Sequence, residues 1–186
     1  MFQKLAFGQL SEGFVAVAQV PDLTLDRLVL PEEAVVAVLE GVEKPGNLGA
    51  VLRSADAAGV AAVIVADEGT DLFNPNAIRA SLGAIFTVPV VAASGQQVLN
   101  WLRHQGFSIY AAWVDGAEDY CQVSYHGRSA LVLGSEAHGL SDLWRGEGIR
   151  RIMIPMCGAV DSLNVSATAA VLFYEARRQK LGRIPG

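Results

Sequence analysis

The chain has 186 residues, a formal net charge of −5, 52% hydrophobic residues and 18% charged ones. That supplies enough apolar material for one sizeable core and excludes an intrinsically disordered chain. The acidic balance lacks the basic footprint of most nucleic-acid binders, so any such role must rest on local patches.

No window approaches the ~18 uninterrupted apolar residues of a membrane span. Met1 to Leu10 lacks the basic start and apolar run of a signal peptide. Cys121 and Cys157 are too few for a disulfide framework or a zinc site, so no metal is expected. Both read as reduced thiols, which points to the cytoplasm.

Phe14 to Ala18 is a strand candidate ended by Pro21, and Asp22 to Leu30 a short helical or extended connector. Val35 to Leu39 is a near-continuous apolar run, as expected of a strand covered on both faces. Pro45-Gly46 then breaks the chain, and Asn47 is expected to cap a helix. Leu48, Val51, Leu52 and Ala55 form its apolar stripe, and Gly59 ends it. Arg53 lies off that stripe; a solvated charge paired with Asp56 is the plain alternative to a functional role.

Val60 to Ala66 is a second buried-strand run, Pro75 to Leu82 a short helix and Val88 to Val91 a short strand. Gln96 to Gln105 reads as a helix with Val98, Leu99 and Leu102 inward, closed by Gly106. Phe107 to Val114 is a strand, and Asp115 to Arg128 is polar and without pattern. Ala130 to Leu133 runs straight into a Gly-flanked loop carrying one carboxylate, Glu136, and one imidazole, His138. Asp142 to Gly146 is a short helix, and Ile149 to Ile154 a strand stopped by Pro155. A small-residue loop then leads to Asp161, Ser162 and Asn164, good N-capping types at the mouth of a long helix. Val165, Ala169, Leu172 and Ala176 mark one face of that helix; Ala167, Ala170, Val171 and Tyr174 mark a second. A helix apolar over most of its circumference needs a core or an interface to cover it.

Strands and helices alternate, so the expected architecture is α/β: a mostly parallel sheet with helices on both faces, in a single domain over 1–186. The strand–loop–helix junction after Ile154 puts free N–H groups at a strand's C-terminal edge, where such folds hold ligands, and a second Gly-containing loop follows the strand that ends at Leu133. There is no G-x-G-x-x-G, P-loop or H-E-x-x-H, which disfavours a nucleotide-binding oxidoreductase. Ser135 lacks the spacing of a nucleophile elbow. His138 is better read as structural or solvated, and Cys157 as a small filler.

Taken together, Asn47-x-Gly49-x-x-x-Arg53-Ser54-Ala55, Leu133-Gly134-Ser135-Glu136-x-x-Gly139-Leu140 and Ile154-Pro155-Met156-x-Gly158-x-x-x-Ser162-Leu163-Asn164-Val165-Ser166 resemble the signature of the SpoU (TrmH-like) RNA 2′-O-ribose methyltransferases of the SPOUT superfamily. Order, spacing and residue types agree over about residues 35 to 180. The resemblance implies a C-terminal trefoil knot, which general topology rules would never suggest. It implies S-adenosylmethionine (S-adenosyl-L-methionine) as cofactor, held by Leu133, Gly134, Ile154, Met156 and Leu163. It implies Asn47, Arg53, Glu136, Ser162 and Asn164 as catalytic residues, a homodimer with the active site between protomers, and a ribose of ribosomal or transfer RNA (rRNA or tRNA) as substrate. The alternative is an RNA-binding protein that keeps the SpoU fold without catalysis; the full set of motif polar residues favours the enzyme.

A guanidinium is effectively always protonated, so Arg53 makes a poor base. The family proposal has a substrate phosphate help it accept the 2′-OH proton; gripping the phosphate and stabilising the developing alkoxide is the milder role. Family members often carry an N-terminal RNA-recognition domain. Here about 35 residues precede the first motif, so a catalytic domain alone, or a fragment or short form, is expected. Arg150, Arg151, Arg177, Arg178, Lys180 and Arg183 offer a basic surface, with solvated terminal charge as the alternative.

Overall fold

The apolar runs pair into a seven-stranded sheet in the computed structural model, which describes residues 17–21, 24–67, 71–114 and 116–181. Its strands are β1 (Val35–Glu40), β2 (Ala62–Ala66), β3 (Val90–Ala93), β4 (Ser108–Ala112), β5 (Glu118–Asp119), β6 (Ser129–Leu133) and β7 (Ile149–Met153). The helices are α1 (Pro45–Ala58), α2 (Pro75–Ser81), α3 (Gly95–His104) and α4 (Val165–Lys180). Strand order is β3-β2-β1-β6-β4-β7-β5, and every pairing is parallel.

The continuous apolar runs are explained by two covered faces. Val35, Ala37 and Leu39 of β1 point into a core shared with α1, α2 and α4, while Val36 and Val38 point into one shared with α3. Gly59 ends α1 with φ 74°, as its position in the sequence leads one to expect.

The start of α1 differs from expectation. Asn47 does not cap it; the helix begins at Pro45, with Lys44 at the N-cap and no side-chain cap bond. Pro45 has no N–H to satisfy and its φ is preset for a helix, so the first turn closes ahead of Asn47. The first strand candidate also fails where it can be followed: Phe14 to Ala16 lie outside the described residues, and Val17 and Ala18 are exposed and in no strand. Nor does Arg53 pair with Asp56, whose carboxylate accepts from Thr87 Oγ1 at 2.8 Å.

The patternless stretch before β6 contributes to the core. Tyr125 is fully buried, its ring 4.9 Å from that of Tyr110, and its hydroxyl donates to the Tyr120 carbonyl at 2.9 Å. On α4, Val165, Ala169, Leu172, Phe173 and Ala176 are buried, while Tyr174 on the second face stays 51% exposed. Part of the basic end of α4 is spent internally. Arg177 donates to the Ala58 carbonyl at 3.0 Å, Arg178 pairs with Glu175, and Lys180 reaches Glu33 at 3.1 Å. Arg183 lies outside the described residues.

The motif glycine Gly49 has a packing reason. A Cβ there would lie 2.4 Å from Ala80 Cβ and 2.8 Å from the Ala80 and Ser81 backbone, so α1 and α2 touch backbone to backbone. Gly49→Ala should therefore cost about 1–3 kcal/mol in urea unfolding. Gly46→Ala, with nothing within 4 Å of its Cβ position, should cost nothing. Equal stabilities for the two variants would contradict the close packing.

Candidate active site

At the C-terminal edge of the sheet, the segments leaving β6, β4 and β7 and the start of α4 enclose a cleft of about 190 Å³. Leu133, Gly134, Ser135, Glu136 and Gly139 line it from the end of β6 and the loop beyond, and Ala112, Trp113 and Val114 from the end of β4. Ile154, Met156, Asp161, Ser162 and Leu163 line it after β7, and Val165, Thr168 and Leu172 from α4. Leu133, Gly134, Ile154, Met156 and Leu163, far apart in sequence, thus meet in one place, joined by Glu136 and Ser162.

The loop after β6 owes its shape to two glycines. Gly139 takes φ 66° and its N–H donates to the Ser135 carbonyl at 2.9 Å. A Cβ on Gly134 would sit 2.2 Å from the Gly139 carbonyl carbon, so only glycine lets the two ends of the loop close. His138 lies exposed in this loop, its amide donating to Ser135 Oγ at 3.1 Å.

Beside the cleft, polar residues of all three motifs meet. Asn164 N-caps α4, its Oδ1 accepting from the Ser166 amide at 2.9 Å and from Ser166 Oγ at 2.6 Å. Its Nδ2 donates to Glu136 Oε1 and, at 3.4 Å, to Asn47 Oδ1. The other Glu136 oxygen, Oε2, accepts from Lys44 Nζ at 2.7 Å. The Lys44 hydrogen bond holds the Glu136 carboxyl below the usual carboxylate range, against a smaller opposing effect of burial; bonds from Asn47 and Asn164 add to the lowering. Reciprocally, Glu136 raises the Lys44 ammonium.

Arg53 is elsewhere. It lies on the exposed side of α1 and lines a broad groove of about 800 Å³ with Ser54, Asp56, Leu82, Thr87, Ser166 and Tyr174. Among the described residues its side chain has no hydrogen bond or ion pair. Ser166 touches both regions: it is held by Asn164 and forms part of the groove wall. Among the described residues no group of three or more His, Cys, Asp or Glu side chains could hold a metal ion, and no helix is long and apolar enough to cross a membrane.

Two residues of the site, Lys44 and Trp113, stand outside the motif positions named from sequence. A signal for Lys44 existed: it is a basic residue directly before Pro45, at the mouth of a motif helix. Trp113 carried none, because nothing in the sequence places the end of β4 beside the other two loops.

A parallel α/β sheet with its cleft built from these loops defines a class, and residues 34–174 match the SpoU rRNA Methylase family. The chain belongs to that family. It is 41% identical over 150 residues to the 23S rRNA (guanosine-2′-O-)-methyltransferase RlmB of Xanthomonas axonopodis pv. citri, covering 80% of this chain and 60% of the relative. It is 34% identical over 173 residues to a 23S rRNA (uridine(2479)-2′-O)-methyltransferase of Streptomyces viridochromogenes, covering 90% of this chain and 60% of the relative. The crystal structure of the SpoU methyltransferase AviRb from Streptomyces viridochromogenes in complex with the cofactor AdoMet superimposes with a TM-score of 0.82 at 31% identity. That match covers 89% of this chain and 64% of AviRb. The chain therefore spans 60% of the length of these two curated relatives.

The Lys44–Glu136 pair has a defined pH signature. The folded-state pKa of Glu136 is lowered, so its contribution to stability is present above its unfolded value and lost as pH falls through the folded one. That of Lys44 is raised, so its contribution is present below its unfolded value and lost as pH rises through the folded one. Lys44→Ala should move the Glu136 titration, followed by carboxyl-carbon NMR, up toward the ordinary glutamate range. An unchanged titration would mean that the pair does not form in solution.

Proposed function

We propose that the protein transfers the methyl group of S-adenosylmethionine to a ribose 2′-hydroxyl of ribosomal or transfer RNA. The observation that carries this reading is the convergence of Leu133, Gly134, Ile154, Met156 and Leu163 on one cleft, together with Glu136 and Ser162. The names of its relatives, 23S rRNA 2′-O-methyltransferases, and the AdoMet bound to AviRb support it. The cleft fits such a ligand chemically. Leu133, Ile152, Ile154, Leu163 and Leu172 offer apolar surface for a purine and an aliphatic chain, and Glu136, Ser162 and Thr168 offer partners for ribose hydroxyls.

Bound there, S-adenosylmethionine supplies an electrophilic methyl on a sulfonium. The chain's own task is to hold the ribose oxygen in line and to stabilise it as its proton passes to water. Glu136, kept ionised by Lys44 and clamped by Asn164, is a fixed acceptor for a hydroxyl. Ser162 orients the ribose from the same lining, and Asn47 and Asn164 fix the Glu136 carboxylate. Arg53, permanently protonated, grips the phosphate next to the reacting nucleotide and stabilises the developing alkoxide.

Since Arg53 lines a groove apart from the cleft of its own chain, we read the active form as a homodimer with the site between protomers. The half-exposed second face of α4, with Tyr174, suits such a contact. In this reading residues 1–186 act as one SpoU-type catalytic domain in the cytoplasm, and its C-terminal part is a trefoil knot. Supporting the knot, β6 sits between β1 and β4, β7 sits between β4 and β5, and the segment from Ile154 to Leu163 returns against the loop after β6.

Calorimetry with S-adenosylhomocysteine and single-turnover methylation of total RNA test the reading; no methyl transfer by the wild-type dimer would end it. Arg53→Ala should slow transfer on the order of 100-fold while leaving cofactor affinity unchanged. Arg53→Lys should rescue little, because an ammonium lacks the guanidinium fork. Turnover by Arg53→Ala near the wild-type rate would remove Arg53 from catalysis, and loss of cofactor binding as well would place it in the cofactor site instead.

A further inference from the structure

The walls of the cleft divide by chemistry. Its apolar lining, Leu133, Ile152, Ile154, Val165 and Leu172, belongs to or packs on the core cluster of one face of the sheet. Its polar lining, Ser135, Glu136, Asp161 and Ser162, comes from the two motif loops. Thr168 is the exception: of the described lining residues, it is the one polar side chain that a regular helix or strand supplies. The helix fixes its direction. Val165, Thr168 and Leu172 are spaced three and four apart, so they share one stripe of α4. Val165 and Leu172 are 6% and 1% exposed, and both line the cleft. Thr168 is half-buried between them, and among the described residues its hydroxyl has no hydrogen bond. Ser166, on the other flank of the helix, already gives its hydroxyl to Asn164.

Depth along α4 decides which end of the cofactor that hydroxyl meets. The methyl group has to arrive where Asn47, Glu136 and Asn164 come together, at the N-terminus of α4. Thr168 lies four residues further along the helix, about 6 Å down its axis. One more turn on, the buried Leu172 belongs to the apolar floor. A purine suits that apolar part, and a solitary polar group on an apolar wall fixes a ligand's orientation. A hydroxyl both donates and accepts, and the edge of adenine presents an amine beside ring nitrogens. We propose that Thr168 is a cofactor-binding residue whose hydroxyl hydrogen-bonds to the adenosine end of S-adenosylmethionine. This rests on the reading of the cleft as an S-adenosylmethionine site. Thr168 lies outside the three sequence motifs, the last of which ends at Ser166.

The test is a calorimetric titration of the full chain with two probes, S-adenosylhomocysteine and 5′-methylthioadenosine, which lacks the amino-acid end. Melting temperatures without ligand are recorded for every variant. Thr168→Val keeps the branched shape and removes only the hydroxyl. It should weaken both probes by the same factor, about 5-fold, as expected for one neutral hydrogen bond. Thr168→Ser should recover most of the loss. In turnover, Thr168→Val should raise KM for S-adenosylmethionine with little change in kcat. The proposal is overturned if Thr168→Val binds S-adenosylhomocysteine as tightly as wild type, or if Thr168→Ser binds no better than Thr168→Val. It is equally overturned if the loss appears with S-adenosylhomocysteine and not with methylthioadenosine, which would put the hydroxyl on the amino-acid end, or if affinity falls only in step with the melting temperature. Failure of the wild type to bind either probe would overturn the cofactor reading of the cleft, and this proposal with it; the other failures leave that reading standing.

Discussion

The geometry of the site depends on a single primary amide. Asn164 has two N–H donors and two lone pairs on its oxygen. The donors go to Asn47 and Glu136, and the oxygen accepts from the amide and hydroxyl of Ser166. One side chain therefore starts α4, touches the first turn of α1 and clamps the loop after β6. Helix capping alone would admit Ser, Thr or Asp at this position. Aspartate would keep the cap, yet it would set a second carboxylate against Glu136. Serine would reach neither Glu136 nor Asn47. The need to cap a helix and the need to fix a carboxylate are met together only by an amide of this length.

The loop that carries Glu136 is held at both ends. Near β6, Gly134 and Gly139 meet backbone to backbone. Beyond the loop, the carboxylate of Glu40, only 7% exposed at the end of β1, accepts from the Ser141 amide and hydroxyl at 2.7 Å each, and from Trp144 Nε1 at 2.8 Å. A buried carboxylate is tolerated when its oxygens are filled by donors, and charge-assisted bonds of this kind are strong. Glu136 consequently projects from an arch whose feet do not move independently. Only then can Lys44 and Asn164 set its ionisation and direction.

Much of this was legible in the sequence, for physical reasons. A strand covered on both faces must be apolar along its length, so β1, β2 and β6 announced themselves, and the motif loops fell at their C-terminal ends. Helix ends were legible where the chemistry is local, as at Gly59 and Asn164. Local rules misled at Asn47, because Pro45 opens the helix first and frees Asn47 to face Asn164. They were silent on Tyr125, whose burial depends on Tyr110 and α4 rather than on its polar neighbours. The groove at Arg53, the choice of Glu136 as the partner of Lys44 and the place of the β4 end beside the other two loops were illegible because each depends on which elements the topology makes adjacent. Pattern along a chain records periodicity, and those adjacencies are set by strand order.

Strand order also sets a timetable. β1 pairs with β2 through a short connection, but its other neighbour is β6, which brings Ser129 against Val35. A ribosome-bound chain can assemble β1, β2 and β3 with α1 and α2 long before β6 emerges. During that interval the future centre of the sheet is an open edge, with unpaired N–H and C=O groups flanked by Val36 and Val38 and a Glu40 carboxylate that has not met its donors. Such an edge is a template for another nascent copy of the same chain, and non-local parallel pairing is slow to cover it. Inserting β6 into the middle of the sheet, which creates the cleft, leaves that edge of β1 uncovered until Ser129–Leu133 has been made.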